Sequence, residues 1–391
     1  MTHRVEDTTI AHVMETLIAN GLDGMADALS VLMNEAMKLE RSKFLGAGPF
    51  ERSEDRRGYA NGFKDKTVRS RLGELGLRIP QVRETADGQT FYPQALERGL
   101  RSERALTLAV AEMYVNGVST RRVKEITREL CGLDVSSADV SRAAAKLDEQ
   151  LEAWRTRPLD RVPYLVLDAR YEKVRHGGQV VSCAVLVATG VQADGRRSVL
   201  GVSVALSEAE VHWRSFLSSL TERGLHGVKQ VTSDDHEGLK KALSAVLPSV
   251  PRQRCQFHLQ QNAGHYVPRV SMRRDVAAAI KSVFNAPDRQ EADRLLGKLC
   301  DSYRDTAPRL VAWAERNIPE GLTVFALPAQ HRLRLRTTNG LERLNKEIKR
   351  RTRVATLFPN EASLLRLVTA IVSEVSEDWE ASRIYLNMET E

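Results

Sequence analysis

Cysteine is scarce in this sequence: Cys131, Cys183, Cys255 and Cys300 are scattered, with no Cys-x-x-Cys pair. That argues against a disulfide framework and fits a reducing compartment, with most of the four thiols expected as small core residues. Long apolar runs are missing as well. Nothing approaches the roughly eighteen residues of a membrane span, and Met1-Thr-His-Arg-Val-Glu-Asp7 lacks the cationic-then-apolar order of a secretion signal, so a cytoplasmic protein is expected. Nor is there an overwhelming charge of one sign: 58 Lys and Arg against 51 Asp and Glu leave a net +7, so its distribution matters more than its sum. A hydrophobic share of 42% with 28% charged residues excludes overall disorder, and 391 residues allow two or three domains.

Two segments concentrate the basic charge. Arg52 to Arg83 holds nine Lys or Arg against four acids, and Arg332 to Arg353 nine against two, while the tail from Glu361 is acidic. Both basic segments could neutralise phosphates; a solvated face is the bland alternative for either alone. The first begins in Gly46–Lys64, where turn formers and Phe50, Tyr59 and Phe63 interleave with Arg56, Arg57 and Lys64, suggesting an extended arm. Thr67–Leu72 and Leu75–Ile79 then flank Gly73-Glu74 as a small hairpin, with Arg69, Arg71 and Arg78 on its polar side.

Helical spacing runs through Ile10, Val13, Met14, Leu17 and Ile18, and again through Leu22, Met25, Leu29, Leu32, Met33 and Met37, giving N-terminal helices suited to core packing or self-association. From about Ser102 to Trp154 the pattern is helical again. Ser119 caps a short helix to Leu130, Cys131–Val135 turns, and Ser136-Ser-Ala-Asp139 opens a second helix as a capping box. This is the cadence of a helix-turn-helix, whose second helix would present Ser137, Asp139, Ser141 and Arg142 to a major groove; an ordinary helical hairpin has the same spacing.

After Pro158–Pro163 the pattern switches to strands. Tyr164–Arg175, Gln179–Gly190 and Ser198–Leu206, joined at Gly177-Gly178 and Asp194-Gly195, read as an antiparallel meander. A helix (Glu208 to about Arg223), a strand (Val228–Ser233), a helix (about His236 to Val246) and a strand (Arg252–Phe257) follow. That is the order of an RNase H-like core, a mixed five-stranded sheet in which the fourth strand lies beside the first. From Leu259 to about His331 the stripes are helical, reading as an all-α insertion, before the chain returns to the core. The expected α/β protein therefore has a helical interaction region (1–45), a basic arm and hairpin (46–100), a helix-turn-helix-like DNA-binding domain (101–157), the first part of the core (158–258), the insertion (259–331) and the final core helices (332–391).

Asp168 ends the apolar run Tyr164-Leu-Val-Leu, Asp234 closes Val228–Ser233, and Glu342 lies on the strongly basic final segment. Carboxylates brought together on one sheet cannot all stay ionised without a cation, so their clustering predicts a divalent metal site. Around Glu342, Arg336, Asn339, Arg343, Lys346, Lys349, Arg350 and Arg353 would hold phosphates; Lys346, Lys349, Arg350 and Arg353 have the spacing of one helical stripe.

Ser233-Asp-Asp-His-Glu-Gly-Leu239, Cys255-Gln-Phe-His258 and Leu335-Arg-Thr-Thr-Asn-Gly-Leu-Glu342-Arg-Leu-Asn-Lys-Glu-Ile-Lys-Arg-Arg351 resemble signature blocks of the IS256 family of bacterial insertion-sequence transposases, relatives of the eukaryotic Mutator elements. The resemblance extends to Glu40–Arg52 and Gly73–Pro80, so it covers nearly the whole chain. It implies a DDE transposase with Asp168, Asp234 and Glu342 as its triad, two Mg²⁺ ions for which Mn²⁺ can substitute, and N-terminal binding to terminal inverted repeats. Target DNA as a second substrate and a dimer or larger assembly on paired ends come with it. Cys255 and His258 fall beside the active site in that resemblance, as supports for DNA or the carboxylates. Asp235 rivals Asp234, and Glu347 falls on another helix face from Glu342. Zinc at Cys255 and His258 lacks a second Cys/His pair. A DNA-binding regulator derived from a transposase, or another RNase H-like nuclease, would share parts of this pattern.

Overall fold

The computed structural model describes residues 3–83, 85, 89–98, 101–353 and 357–388, with only the backbone of residues 3–7. The chain divides into two compact units, Met1–Lys146 and Leu147–Glu391.

In the first unit, α1 (His3–Asn20) and α2 (Met25–Leu45) are joined by a 3-10 turn. Leu29, Met33 and Met37 of α2 pack against Val68, Leu75, Leu77 and Ile79 of a hairpin formed by β1 (Tyr59–Ser70) and β2 (Gly73–Arg83). Its register, Ser70 opposite Gly73, puts Arg71-Leu72 at the turn rather than the expected Gly73-Glu74. The apolar residues enforce this, because a slip of one residue would carry Leu75, Leu77 and Ile79 to the solvent face. β1 also begins at Tyr59, so the end of the expected arm, Lys64 included, is strand.

Three helices complete the unit: α3 (Arg104–Val115), α4 (Thr120–Cys131) and α5 (Ser137–Ala145). Both expected caps form. Ser119 accepts from Arg122 N at 3.2 Å, and Ser136 and Asp139 bond reciprocally as a capping box. Between them Gly132 takes the left-handed conformation (φ 66°) that ends α4, a backbone position natural to glycine.

The second unit opens with α6 (Asp148–Thr156), which the sequence grouping had placed with the preceding helices. It packs instead on α15 (Glu361–Ala381), where Arg366 forks onto Asp148 at 2.6 and 2.7 Å and Arg155 reaches Thr369 at 3.0 Å. The strands β3 (Tyr164–His176), β4 (Gln179–Val191), β5 (Arg197–Ala205), β6 (Gln230–Ser233) and β7 (Arg252–Arg254) form one sheet in the order β5-β4-β3-β6-β7. The first three are the antiparallel meander expected, and β6 and β7 join in parallel, with Tyr164 opposite Gln230 and Val166 opposite Thr232. β7 stops three residues short of the expected Phe257, because Cys255 already caps α9 (Gln256–Ala263).

Period-two alternation separates the faces of β3. Leu165 and Leu167 join Leu186 and Leu200 beneath Trp213, Phe216 and Leu217 of α7 (Glu210–Glu222) and Leu239 and Leu243 of α8 (Glu237–Val246). Complete burial of each such side chain contributes about 1.5–3 kcal/mol, which fixes this face inward and turns Asp168, Arg170 and Glu172 to the other. Helices α10 (Arg273–Phe284), α11 (Arg289–Tyr303), α12 (Pro308–Asn317) and α13 (Ala329–Leu335) build a separate apolar cluster with α9. After them come α14 (Asn339–Thr352) and α15.

Candidate active site

Asp168, which ends the apolar run, lies within β3, and the strand continues past it to His176. Asp168 sits two residues beyond Val166, where pairing with β6 stops, so on that edge no strand partners it, while Val187 of β4 lies opposite it on the other. Asp234 follows the last residue of β6. The parallel pairing thus brings the two carboxylates to the same end of the β3–β6 seam. Burial first, and the Asp234 charge second, push the Asp168 carboxyl up to about 7. Asp168 Oδ1 accepts from Ala169 N at 2.9 Å, and Oδ2 accepts from Asn345 Nδ2 at 2.7 Å.

Asp234 and Asp235 diverge. Asp235 pairs with Lys240 and with Arg254 at 2.8 Å. Burial opposes its ionisation, but those cations hold its carboxyl below the usual range. Asp234 instead meets His258, whose Nδ1 stands 2.6 Å from Oδ1, an ion-pair distance outside good hydrogen-bond alignment. The Asp234 carboxylate, followed by Cys255, raises the imidazole to about 10. Cys255 Sγ in turn accepts from Thr338 N and Oγ1, both at 3.4 Å, at the start of α14. Cys255 and His258 therefore connect the end of β6 to the helix that carries Glu342.

Ligand atoms of Asp234, Cys255 and His258 all lie within 4.8 Å of one another. They make a poor zinc site. Three ligands fall short of a closed tetrahedron, the direct Asp234–His258 contact leaves no space for an ion between them, and the thiol is already engaged by Thr338.

Glu342 lies in the first turn of α14, and its Oε1 is buried without a hydrogen-bond partner. One turn on, Asn345 makes the bond to Asp168, which ties the Glu342 helix to β3. Glu342 thus offers a buried carboxylate oxygen with no donor on the helix that Asn345 ties to Asp168, whose own ionisation burial and Asp234 oppose; carboxylate oxygens of this kind are the donors a hard divalent cation takes. By the chemistry of their side chains Asp168, Asp234 and Glu342 fit such an ion.

Glu342 opens onto a cleft of about 600 Å³ lined also by Arg170, Tyr171, Asn345, Lys346, Lys349 and Arg353. Arg350 does not line it: Glu347 takes Arg350 at 2.6 Å and Arg351 at 2.7 Å. The four-residue stripe is thus three residues on the cleft and one beside it. A helix advances about 100° per residue, which separates position 350 from 346 and 353 enough for a carboxylate on the next row to capture it. Glu347 itself lies away from Glu342, as its spacing required. Asn339 begins α14 and is exposed, as is Arg343. Arg336 points elsewhere, with Nη1 donating to Asn285 Oδ1 at 2.8 Å, where it braces the α9–α13 cluster.

In the first unit Arg69 and Arg142 line a second cavity, of about 810 Å³, and share Asp139; Arg69 also meets Glu74 at 3.8 Å. Arg71 pairs with Glu103 at 2.9 Å. Arg56 donates to Gly48 O and Glu51 O and lies over Tyr59, while Arg57 and Lys64 are exposed. Asp139 is consumed by its cap, so of the expected groove-facing set Ser137, Ser141 and Arg142 remain exposed. Asn345, Arg170 and Glu208 were not singled out in the sequence. Asn345 carried one usable signal, its three-residue spacing from Glu342.

The family model for Mutator-family transposases matches residues 1–382. The transposase for insertion sequence element IS406 of Burkholderia multivorans is 58% identical, covering 99% of both chains. That for ISRM5 of Rhizobium meliloti is 43% identical over 100% of this chain and 96% of its own. That for IS256 in transposon Tn4001 of Staphylococcus aureus is 34% identical over 94% of each.

Proposed function

The chain belongs to the Mutator family of transposases, and from that premise we propose that it is a DDE enzyme whose triad is Asp168, Asp234 and Glu342. The sheet is read as an RNase H-like core, with α9–α13 as an all-α insertion before the last acid; the parallel placement of β6 beside β3 supports this. The observation that carries the proposal is the juxtaposed Asp168–Asp234 pair, whose Asp168 is tied through Asn345 to a helix on which Glu342 Oε1 lacks a donor.

Two Mg²⁺ ions, or Mn²⁺ in their place, would be held by these carboxylates and would stabilise the attacking and leaving oxygens of an in-line displacement. The protein supplies the geometry. His258 keeps the Asp234 carboxylate at the seam, and Cys255 anchors the start of α14 through Thr338. Lys346, Lys349 and Arg353 present positive charge to phosphates entering the cleft. Hydrolysis by water nicks the element end and leaves a 3′-hydroxyl; that hydroxyl then attacks another phosphodiester, so the number of phosphodiester bonds is conserved in the joining step. No side chain forms a covalent bond to DNA.

The first unit binds the terminal inverted repeats, with Arg142 at α5 and Arg56, Arg57, Lys64, Arg69 and Arg71 on the arm and hairpin. Pairing of two ends calls for at least two copies of the chain. Ile10, Met14 and Ile18, exposed by 59%, 55% and 82% at four-residue spacing on α1, support self-association through that helix. Among the described residues no helix is long and apolar enough to cross a membrane.

Labelled element ends incubated with the protein and Mg²⁺ test the assignment. Nicked strands ending in a 3′-hydroxyl, and joined products derived from them, are expected. Equal cleavage in excess chelator, or a covalent protein–DNA adduct, would exclude it.

A further inference from the structure

Asn345 makes a contact that the expected triad does not account for. Its Nδ2 donates to Asp168 Oδ2 at 2.7 Å, while its own Oδ1 is buried with no protein donor. The side chain therefore gives one hydrogen bond to a carboxylate and keeps its acceptor unused, an arrangement that is unfavourable in an apolar packing role. It lines the cleft beside Glu342, three residues earlier on the same helix.

The bond is the first rung of a longer attachment. Asn345 O accepts from Arg170 Nη1, Arg170 also pairs with Glu172, and Thr352 Oγ1 donates to Glu172 Oε1 at 2.9 Å. Residues 168, 170 and 172 alternate on one face of β3, and 345 and 352 lie two turns apart on α14. Four residues of strand span about 13 Å and seven of helix about 10 Å, so the two elements run side by side over this length. The Arg170 and Thr352 rungs would hold the helix by themselves. Only Asn345 touches one of the acids, and it does so with a neutral donor that adds no charge to the centre.

We infer that Asn345 is a positioning residue of the carboxylate centre: its amide fixes the Asp168 carboxylate against the helix that carries Glu342. The inference rests on the assignment of Asp168 and Glu342 as cation ligands. An Asn in this place orients Asp168 as a partner outside the coordination sphere orients a ligating carboxylate, and loss of such partners typically weakens metal affinity about 10–100-fold.

Mn²⁺ alone, titrated against the full-length metal-free protein by electron paramagnetic resonance, provides the test, together with melting temperature. Asn345→Leu fills the space and Asn345→Ala empties it, so the result is read from whichever folds, and Asn345→Gln keeps an amide donor. Mn²⁺ affinity should fall about 10–100-fold in Leu or Ala, with the Gln variant recovering part of it, while the melting temperature of the metal-free protein changes little. A lowered melting temperature with unchanged Mn²⁺ affinity would reduce Asn345 to a structural rung and overturn the inference. The double variant Asp168→Asn, Asp234→Asn separates the two levels. If it binds Mn²⁺ as the wild type does, the triad assignment itself fails, whatever Asn345 does.

Discussion

Arg254 and Asp235 form an ion pair at 2.8 Å in which the arginine side chain is only 3% exposed. That pairing decides which of two adjacent aspartates turns to the seam, where His258 is its partner. With Asp235 committed to Arg254 and Lys240, Asp234 alone presents its carboxylate to the seam beside Asp168.

Asp234→Asn should therefore abolish nicking and joining, with a loss of stability confined to the His258 pairing it removes, whereas Asp235→Asn should leave chemistry within a few-fold of wild type and destabilise the fold. Arg254 keeps Asn317 at 2.8 Å and Glu320 at 3.7 Å, and Asp235 is partly exposed, so a loss of about 1–3 kcal/mol is expected. Cleavage assays on element ends and urea midpoints check both halves. Cleavage lost in the Asp235 variant and kept in the Asp234 variant would transfer the role.

Asp168→Asn and Glu342→Gln should each eliminate cleavage while end binding survives, because acids that share one centre act as a unit. Gel-shift and cleavage assays on the same preparations separate the two effects. Near wild-type cleavage in either variant removes that residue from the centre.

Stability of the metal-free protein should fall with rising pH in two steps. Asp168 ionises near 3.8 when unfolded and about 7 when folded, so the folded state keeps a proton that the unfolded state releases. Its contribution is complete below pH 3.8 and is lost as pH rises through about 7. His258, raised from 6.5 to about 10 by Asp234 and then Cys255, contributes fully below pH 6.5 and loses that contribution as pH rises through about 10. Asp234, His258 and Glu208 are the charges acting on Asp168. Melting temperature against pH should lose its lower slope in Asp168→Asn and its upper slope in His258→Gln; slopes that persist in both would show that other groups set the profile.

Replacing Lys346, Lys349 and Arg353 together by Ala should weaken DNA binding and reduce the salt slope by roughly one unit per lost phosphate contact, with little change in melting temperature. Arg350→Ala, by contrast, should leave the slope nearly unchanged because Glu347 already occupies that guanidinium. Equal effects from the two replacements would place the DNA path outside the cleft.

In the first unit, Arg142→Ala should reduce the preference for terminal-repeat sequence while non-specific binding persists. Competition between repeat and unrelated DNA at fixed salt measures this, and an unaltered ratio would dismiss α5 as a base-reading helix.

Much of the local structure in both units was legible from the chain. Gly177-Gly178 and Asp194-Gly195 marked the meander, the β-rich composition of the segments they join gave the strands, and Ser136 with Asp139 announced α5, because these signals act over a few residues. The hairpin turn was misplaced since its register is set by burial against α2, not by the glycine nearest the bend.

The sequence by itself determined the acids, the blocks in which they stand and the order of elements that carry them. The tertiary structure decided which neighbour of an acid is occupied elsewhere. Asp235 is taken by Arg254, nineteen residues on, and Arg350 by Glu347, while Asn345 reaches Asp168 across 177 positions of chain. Spacing shows that two side chains share a face. It does not show which distant partner has captured one of them, because a hydrogen bond or ion pair depends on separation in space, and for residues far apart in sequence only the packed fold sets that separation.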